Sequence, residues 1–288
     1  MSDITLPAAT GEDPMRILLV NVNTSEAVTE ALAEQARAAA RPGTEIEALT
    51  PYFGPESVEG HFESYLSAVA VMDRVVAYDR PYDAVVQAGF GEHGREGLQE
   101  LCTVPVVDIT EAAAHTASLI GHRFTVVTSL DRAVPQIEGR LALAGLDGRC
   151  ASIRATGLGV LELEADRGAA LRAVVEQARL AVERDGADVV CLGCGGMAGL
   201  AEAVREATGA PVVDGVAAGV ALAESLVGLG LTTSRVRGYA PPRPKAVTHW
   251  PLSRAIGLGR PAGERSAEHT AGHPAERAGR ANGTAFPS

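Results

Sequence analysis

The sequence predicts an α/β protein of two similar halves, each built on a small parallel sheet and related by a pseudo-two-fold axis, with the active site in the cleft between them. Three observations lead there. Short apolar runs alternate with helical segments along the chain. Hydrophobic residues make up 46% of the sequence while aromatics are only 4%, a composition rich in Ala, Val, Leu and Gly that suits a parallel sheet buried on both faces. The chain also repeats itself. Arg16-Ile-Leu-Leu-Val20 matches Arg123-Phe-Thr-Val-Val127 at an offset of 107, and Pro105-Val-Val-Asp108 matches Pro211-Val-Val-Asp214 at an offset of 106. Between them, Ala84-Val-Val leads to Gly89-Phe-Gly91 as Val189-Val-Cys leads to Cys194-Gly-Gly196, at an offset of 105.

Taken in order, residues 1–14 read as a flexible leader and residues 15–240 as one α/β unit. Its first half covers roughly residues 15–115 with a C-terminal contribution, and its second half roughly residues 116–225. The predicted strands are Arg16 to Asn21, Asp83 to Ala88, Val104 to Val107, Phe124 to Thr128, Asp188 to Leu192 and Pro211 to Val213. Helical segments such as Glu26 to Ala40 and Gly168 to Asp185 separate them. Residues 241–288, rich in Pro, Gly, Ala, Arg and His without periodicity, are expected to be disordered.

The 288 residues carry a net charge of −11 with no basic cluster, which argues against nucleic acid as a partner. No apolar run reaches the roughly 18 residues of a membrane span, and the first residues lack a signal-peptide core, so a cytoplasmic protein is expected. The four cysteines show no disulfide-framework spacing and are expected as thiols.

Loops at the carboxyl ends of parallel strands converge on the ligand crevice. Four here have unusual composition: Asn21-Val-Asn-Thr-Ser25, Gly89-Phe-Gly-Glu-His-Gly94, Thr128-Ser129 and Gly193-Cys-Gly-Gly196. Cys194 lies between glycines after a buried strand and before a helical run from Met197 to Thr208. A helix start there would stabilise a thiolate and lower its pKa toward neutrality. Cys191, inside the strand, reads as core. Cys191-Leu-Gly-Cys194 also fits a redox pair or half a zinc site, but no second ligand pair completes a metal site. Gly89-Phe-Gly91-Glu-His-Gly94 with Asp108 beyond it satisfies a dinucleotide fingerprint, although it does not open the domain. Asn23 is a candidate ligand contact, while Thr24, Ser25 and Ser129 are equally suited to helix capping. His93 and Glu92 could titrate in the cleft, His61 could line its entrance, and His115 reads as structural.

Together these segments resemble the hydantoin racemase branch of the aspartate/glutamate racemase superfamily. The matching pieces are Asn21-Val-Asn-Thr-Ser25 for the family's N-P-N-T-[ST] loop, Gly54-Pro-Glu-Ser-Val-Glu-Gly60, and Ala88-Gly-Phe-Gly91 for its A-C-F-G loop. They continue with Glu111-Ala-Ala-Ala-His115, His122-Arg-Phe-Thr-Val-Val-Thr-Ser129, Arg154-Ala-Thr156, Leu192-Gly-Cys-Gly-Gly-Met197 and Pro211-Val-Val-Asp-Gly-Val216. The resemblance covers about residues 15–235. It implies no cofactor, no metal, a small carbon acid as substrate, a symmetric homo-oligomer, and two cysteines on opposite faces of the substrate α-carbon.

One departure stands out. The first family cysteine falls on Gly89, while the second is retained as Cys194. A glycine facing one cysteine is similar to arylmalonate decarboxylase of the same superfamily. The expected chemistry is therefore proton exchange at a carbon α to a carbonyl, with Cys194 and His93 as catalytic residues. Asn23, Gly89, Phe90, Gly91, Thr128, Ser129, Gly195 and Gly196 are expected to hold the substrate, partly through a backbone N–H cradle. A racemase in which His93, Glu92 or water replaces the lost thiol leads. A one-thiol decarboxylase, an NAD(P)-binding protein and a non-catalytic binding module are the alternatives.

Overall fold

The computed structural model describes residues 14–244. The elements follow in chain order as β1 (Met15–Asn21), α1 (Glu26–Ala39), β2 (Thr44–Leu49), α2 (His61–Val76), β3 (Ala84–Ala88), α3 (Arg95–Leu101), β4 (Val106–Asp108) and α4 (Ile109–Ile120). The second set is β5 (Phe124–Thr128), α5 (Val134–Leu143), β6 (Cys150–Ala155), α6 (Val160–Ala165), α7 (Arg167–Leu180), β7 (Val189–Leu192), α8 (Ala201–Thr208), β8 (Val212–Asp214) and α9 (Gly215–Gly228). They form two four-stranded sheets, ordered β2-β1-β3-β4 and β6-β5-β7-β8, and every pairing is parallel. The two orders superpose strand for strand, as the internal repeat predicts.

The central strands β3, β5 and β7 are buried at every position, because helices cover both faces and leave no polar side to mark a period of two. The six apolar runs of the sequence correspond to six strands, but β2 and β6 escape that reading. Both lie at sheet edges, and the segments Thr-Glu-Ile-Glu-Ala-Leu and Cys-Ala-Ser-Ile-Arg-Ala are mostly half-exposed, so polar residues interrupt the run. The helical segment expected from Gly168 to Asp185 divides into α7 and a π turn, Ala181–Asp185, which Gly186 ends at φ +73°.

The repeated Val-Val-Asp motif has a structural cause. Each copy ends a strand and caps the following helix: Asp108 accepts from the Thr110 and Glu111 N–H groups, and Asp214 from that of Ala217. These capped helices join the halves. α4 leaves the first sheet to pack on β7 and β8 of the second, whereas α9 returns to pack on β3 and β4 of the first, and the two helices touch. A single buried cluster consequently contains Ile17, Leu19 and Val86 of one sheet with Val126, Cys191 and Val213 of the other.

No described helix is long and apolar enough to cross a membrane. The expected leader and tail fall on residues outside the described range, apart from Pro14 and residues 241–244.

Candidate active site

The carboxyl ends of β1, β3, β5 and β7 open into one cavity, where the four loops meet. Asn23, Gly89, Phe90, His93, Thr128, Ser129, Cys194 and Gly195 all line it, joined by Asn21 and Gly193 from the same loops. Val22, Val28, Val58, Ala88, Ala133 and Val160 form the apolar part of the wall, and Gln136 adds a carboxamide. No Asp, Glu, Lys or Arg is among the described lining residues.

The first loop is held by its own amides. Asn21 donates through Nδ2 to Asn23 Oδ1 at 2.9 Å and Thr29 Oγ1 at 3.0 Å, and its Oδ1 accepts from the Val22 N–H at 2.7 Å. Asn23 Oδ1 also accepts from the Ser25 N–H at 2.9 Å, which fixes its 4%-exposed side chain in the cavity wall. Ser25 caps α1 by accepting from Val28 N–H, and Thr24 donates to the Pro55 carbonyl, so neither enters the cavity.

The loop after β3 turns on two glycines in the left-handed region, Gly91 at φ +121° and Gly94 at φ +83°. The Gly91 N–H donates to Thr110 Oγ1 at 2.8 Å, so it is engaged within the protein and does not line the cavity. That corrects its expected place in an N–H cradle. Gly89 is glycine for a different reason. A Cβ there would lie 2.4 Å from Val22 Cγ1 and 2.5 Å from His93 Cδ2, so these two side chains already fill the space. His93 is buried, with Nδ1 3.2 Å from Ser64 Oγ and Nε2 3.4 Å from the Phe90 carbonyl. Burial pushes its pKa down to about 4, partly offset by the Phe90 carbonyl and Glu92.

Glu92 is occupied elsewhere. Its Oε1 accepts from the Gly94 N–H at 2.7 Å and its Oε2 from Arg140 Nη1 at 2.8 Å. Arg140 reaches from α5 of the second half, fully buried, into carboxylates of the first: Glu96 at 2.6 Å, Asp108 at 3.4 Å and Glu111. Burial opposes its charge, but these carboxylates outweigh burial and raise its pKa. Arg95 joins the cluster through Glu96, Asp108 and Glu111. Asp108 is thus committed to helix capping and to Arg95 and Arg140, which removes the acidic residue the dinucleotide fingerprint requires.

On the facing loops, Thr128 Oγ1 donates to the Gly193 carbonyl at 3.2 Å. Cys194 follows in extended backbone, φ −158°, and keeps part of its surface open to the cavity. The expected long helix start is absent: a three-residue 3-10 turn, Gly195–Met197, follows, and α8 begins only at Ala201. Accordingly the thiol pKa is not depressed. Desolvation pushes it up to about 11, against the Gly196 N–H and the Ser129 hydroxyl, which lower it. Gly196 does not line the cavity, and its carbonyl accepts from Arg167 Nη1 at 2.7 Å.

Cys191 is core, with Sγ 3.8 Å from the Ala113 carbonyl, and all four cysteines are free thiols. No group of His, Cys, Asp and Glu among the described residues is arranged to hold a metal ion. His61 and His115 are exposed and do not line the cavity. Gln136 lines it without any motif to announce it, because its position depends on how α5 packs, while Val22 comes with the first loop but is not among the residues expected to hold the substrate.

The model of the family described as "Asp/Glu/Hydantoin racemase" matches residues 17–223. A hydantoin racemase from Paenarthrobacter aurescens is 39% identical, covering 80% of this chain and 99% of its own. The crystal structure of an allantoin racemase from Pseudomonas fluorescens is 70% identical, covers 81% of this chain and 99% of its own, and superposes with a TM-score of 0.80. Arylmalonate decarboxylase, at 21% identity and a TM-score of 0.51 over 78% of this chain and 96% of its own, shares the fold. The chain belongs to the Asp/Glu/hydantoin racemase family and is an enzyme of the isomerase class.

Proposed function

We propose that the protein interconverts the enantiomers of a 5-substituted hydantoin such as allantoin by proton exchange at the ring carbon between Cys194 and His93. The observation that carries this reading is the pairing of an uncharged cavity wall with one thiol. Aspartate or glutamate would need a cation for each carboxylate, whereas a cyclic ureide needs only neutral donors and acceptors. The similarity to an allantoin racemase and to hydantoin racemases points to the same ligand class.

The C5–H of such a ring is acidic because the carbanion delocalises into the adjacent carbonyl. Asn23, the Phe90 N–H and the Gly195 N–H are the groups we assign to hold that oxygen as charge develops. One face of the carbon receives or loses its proton at Cys194 Sγ. On the other face His93 takes the role of a second thiol, because its ring edge stands where a side chain at Gly89 would begin. Burial keeps His93 neutral at pH 7, able to accept a proton. The same burial makes the imidazolium return it readily. Glu92, tied to Arg140 and Gly94, is not assigned this role. The one-thiol decarboxylase gains only the shared fold from its structural neighbours and is set aside.

The test is α-proton exchange in D2O with each enantiomer of allantoin and of 5-benzylhydantoin, followed by NMR and circular dichroism. Wild type is expected to exchange and racemise both enantiomers. Cys194→Ser and His93→Asn should each abolish racemisation, with single-face exchange surviving in one or both variants. Absence of racemisation of any hydantoin by wild type would overturn the substrate class, and full racemisation by His93→Asn would overturn the two-residue mechanism.

A further inference from the structure

α5 carries two polar residues, one turn apart, toward the first half. Gln136 and Arg140 stand at positions i and i+4, so they share a face, while Ile137 and Leu141 on the adjoining face are buried in the core. Arg140 locks the helix to the carboxylates of the first half. That lock fixes Gln136 in the cavity wall, near Gly91: a Cβ at Gly91 would lie 3.4 Å from Gln136 Oε1.

Gln136 is only 4% exposed, and its Nε2 has no hydrogen-bond partner among the described residues. Burying an amide donor unpaired is costly, and the cavity that Gln136 lines is the place where a ligand would supply the partner. A primary carboxamide offers a donor and an acceptor side by side. Its natural complement is the CO–NH edge of a cyclic amide or imide, which presents an acceptor and a donor at the same spacing. A carboxylate presents two acceptors and leaves half of that match unmade, and the cavity wall supplies no cation to compensate. None of the motifs that mark the family loops includes this residue.

We propose that Gln136 is the residue that recognises the ring amide: its carboxamide pairs with the CO–NH edge of the substrate and selects cyclic ureides over open-chain acids. This inference rests on the hydantoin reading above and adds to it the group that reads the ring.

Steady-state racemisation by wild type, Gln136→Met and Gln136→Glu separates the two claims. Met keeps the volume without hydrogen bonds, and Glu keeps the shape while replacing the donor with an acceptor. The substrates are a 5-substituted hydantoin and its N1-methyl and N3-methyl derivatives, each of which removes one ring N–H. Losing one buried hydrogen bond should lower kcat/KM of Gln136→Met about 10- to 100-fold on the parent, chiefly through KM. On one of the two methyl derivatives, where the pairing is already broken, that loss should shrink to about threefold or less. Gln136→Glu should lose at least as much on the parent as Gln136→Met. Thermal melting of both variants within a few degrees of wild type, and retained slow racemisation, would show that the fold and the proton exchange survive. An unchanged kcat/KM in Gln136→Met, or an equal loss on all three substrates, would overturn the assignment while leaving the hydantoin reading standing. Failure of wild type on all three would remove the hydantoin reading and this inference with it, and is recognised without any variant.

Discussion

Val22 and Gly89 occupy one space: a Cβ at position 89 would stand 2.4 Å from Val22 Cγ1 and 2.7 Å from its Cγ2. The loop after β1 and the loop after β3 are therefore matched, with a branched side chain at Val22 set against none at Gly89. Both residues line the cavity, so this close approach lies in its wall.

Gly89→Ala is expected to destabilise the protein by about 1–3 kcal/mol, the usual range for overpacking a filled core. Val22→Ala in the same chain should recover part of that loss. The recovery is partial because His93 Cδ2 remains 2.5 Å from the new Cβ. Denaturant unfolding of the two single variants and the double variant gives the coupling, expected at about 1 kcal/mol or more. Simple additivity would show that the contact does not govern position 89. Gly89→Cys meets the same obstruction, so a second thiol should support racemisation better in the Val22→Ala background than alone.

Cys194→Ser should abolish activity while leaving the unfolding midpoint within about 0.5 kcal/mol of wild type, since the side chain faces the cavity. Cys191→Ser should keep activity and lose roughly 1–3 kcal/mol, because it places a hydroxyl in the core. With its pKa pushed up to about 11, Cys194 should be alkylated slowly at pH 7. The rate for its peptide, read by mass spectrometry, should rise about tenfold per pH unit until that value is approached. A plateau reached near pH 7 would contradict the burial effect.

Acid stability should report His93. Its folded pKa of about 4 lies below the ordinary value of 6.5, so its contribution to stability is fully present above pH 6.5 and is lost as pH falls through about 4. That shift corresponds to roughly 3 kcal/mol at most. The slope of unfolding free energy between pH 6.5 and 4 should be visibly flatter in His93→Asn than in wild type. Parallel slopes would show that neighbouring carboxylates, not His93, carry the acid sensitivity.

Arg140→Met should cost about 3–5 kcal/mol, because it leaves Glu92, Glu96, Asp108 and Glu111 facing one another with only Arg95 beside them. Arg140→Lys should restore little of this, since one ammonium cannot reach carboxylates arrayed around a planar guanidinium. Chemical denaturation measures both. An Arg140→Met midpoint equal to wild type would mean that apolar contacts alone hold α5 to the first half.

The sequence by itself determined the parallel α/β class, the two-fold repeat and the loops that form the cavity. Buried strands leave short unbroken apolar runs, and the Val-Val-Asp ends at Asp108 and Asp214 repeat because each copy caps a helix. Cys194, His93 and Asn23 were legible because they sit at strand ends within unusual glycine or amide loops. The edge strands β2 and β6 were not, because half-exposed segments interleave polar residues with apolar ones. Only the tertiary structure decided the chemistry of the site. Local spacing suggests a thiol eased toward ionisation at a helix start, yet the turn after it is too short to present a helix dipole and burial raises its pKa instead. In the same way Glu92 and Asp108 look available in the chain, and Gln136 looks unremarkable. The approach of α5 ties both acids to Arg140 and leaves the amide unpaired in the cavity. Those assignments depend on residues about 30 to 50 positions apart, a separation at which pairing is set by packing between the halves and carries no local pattern.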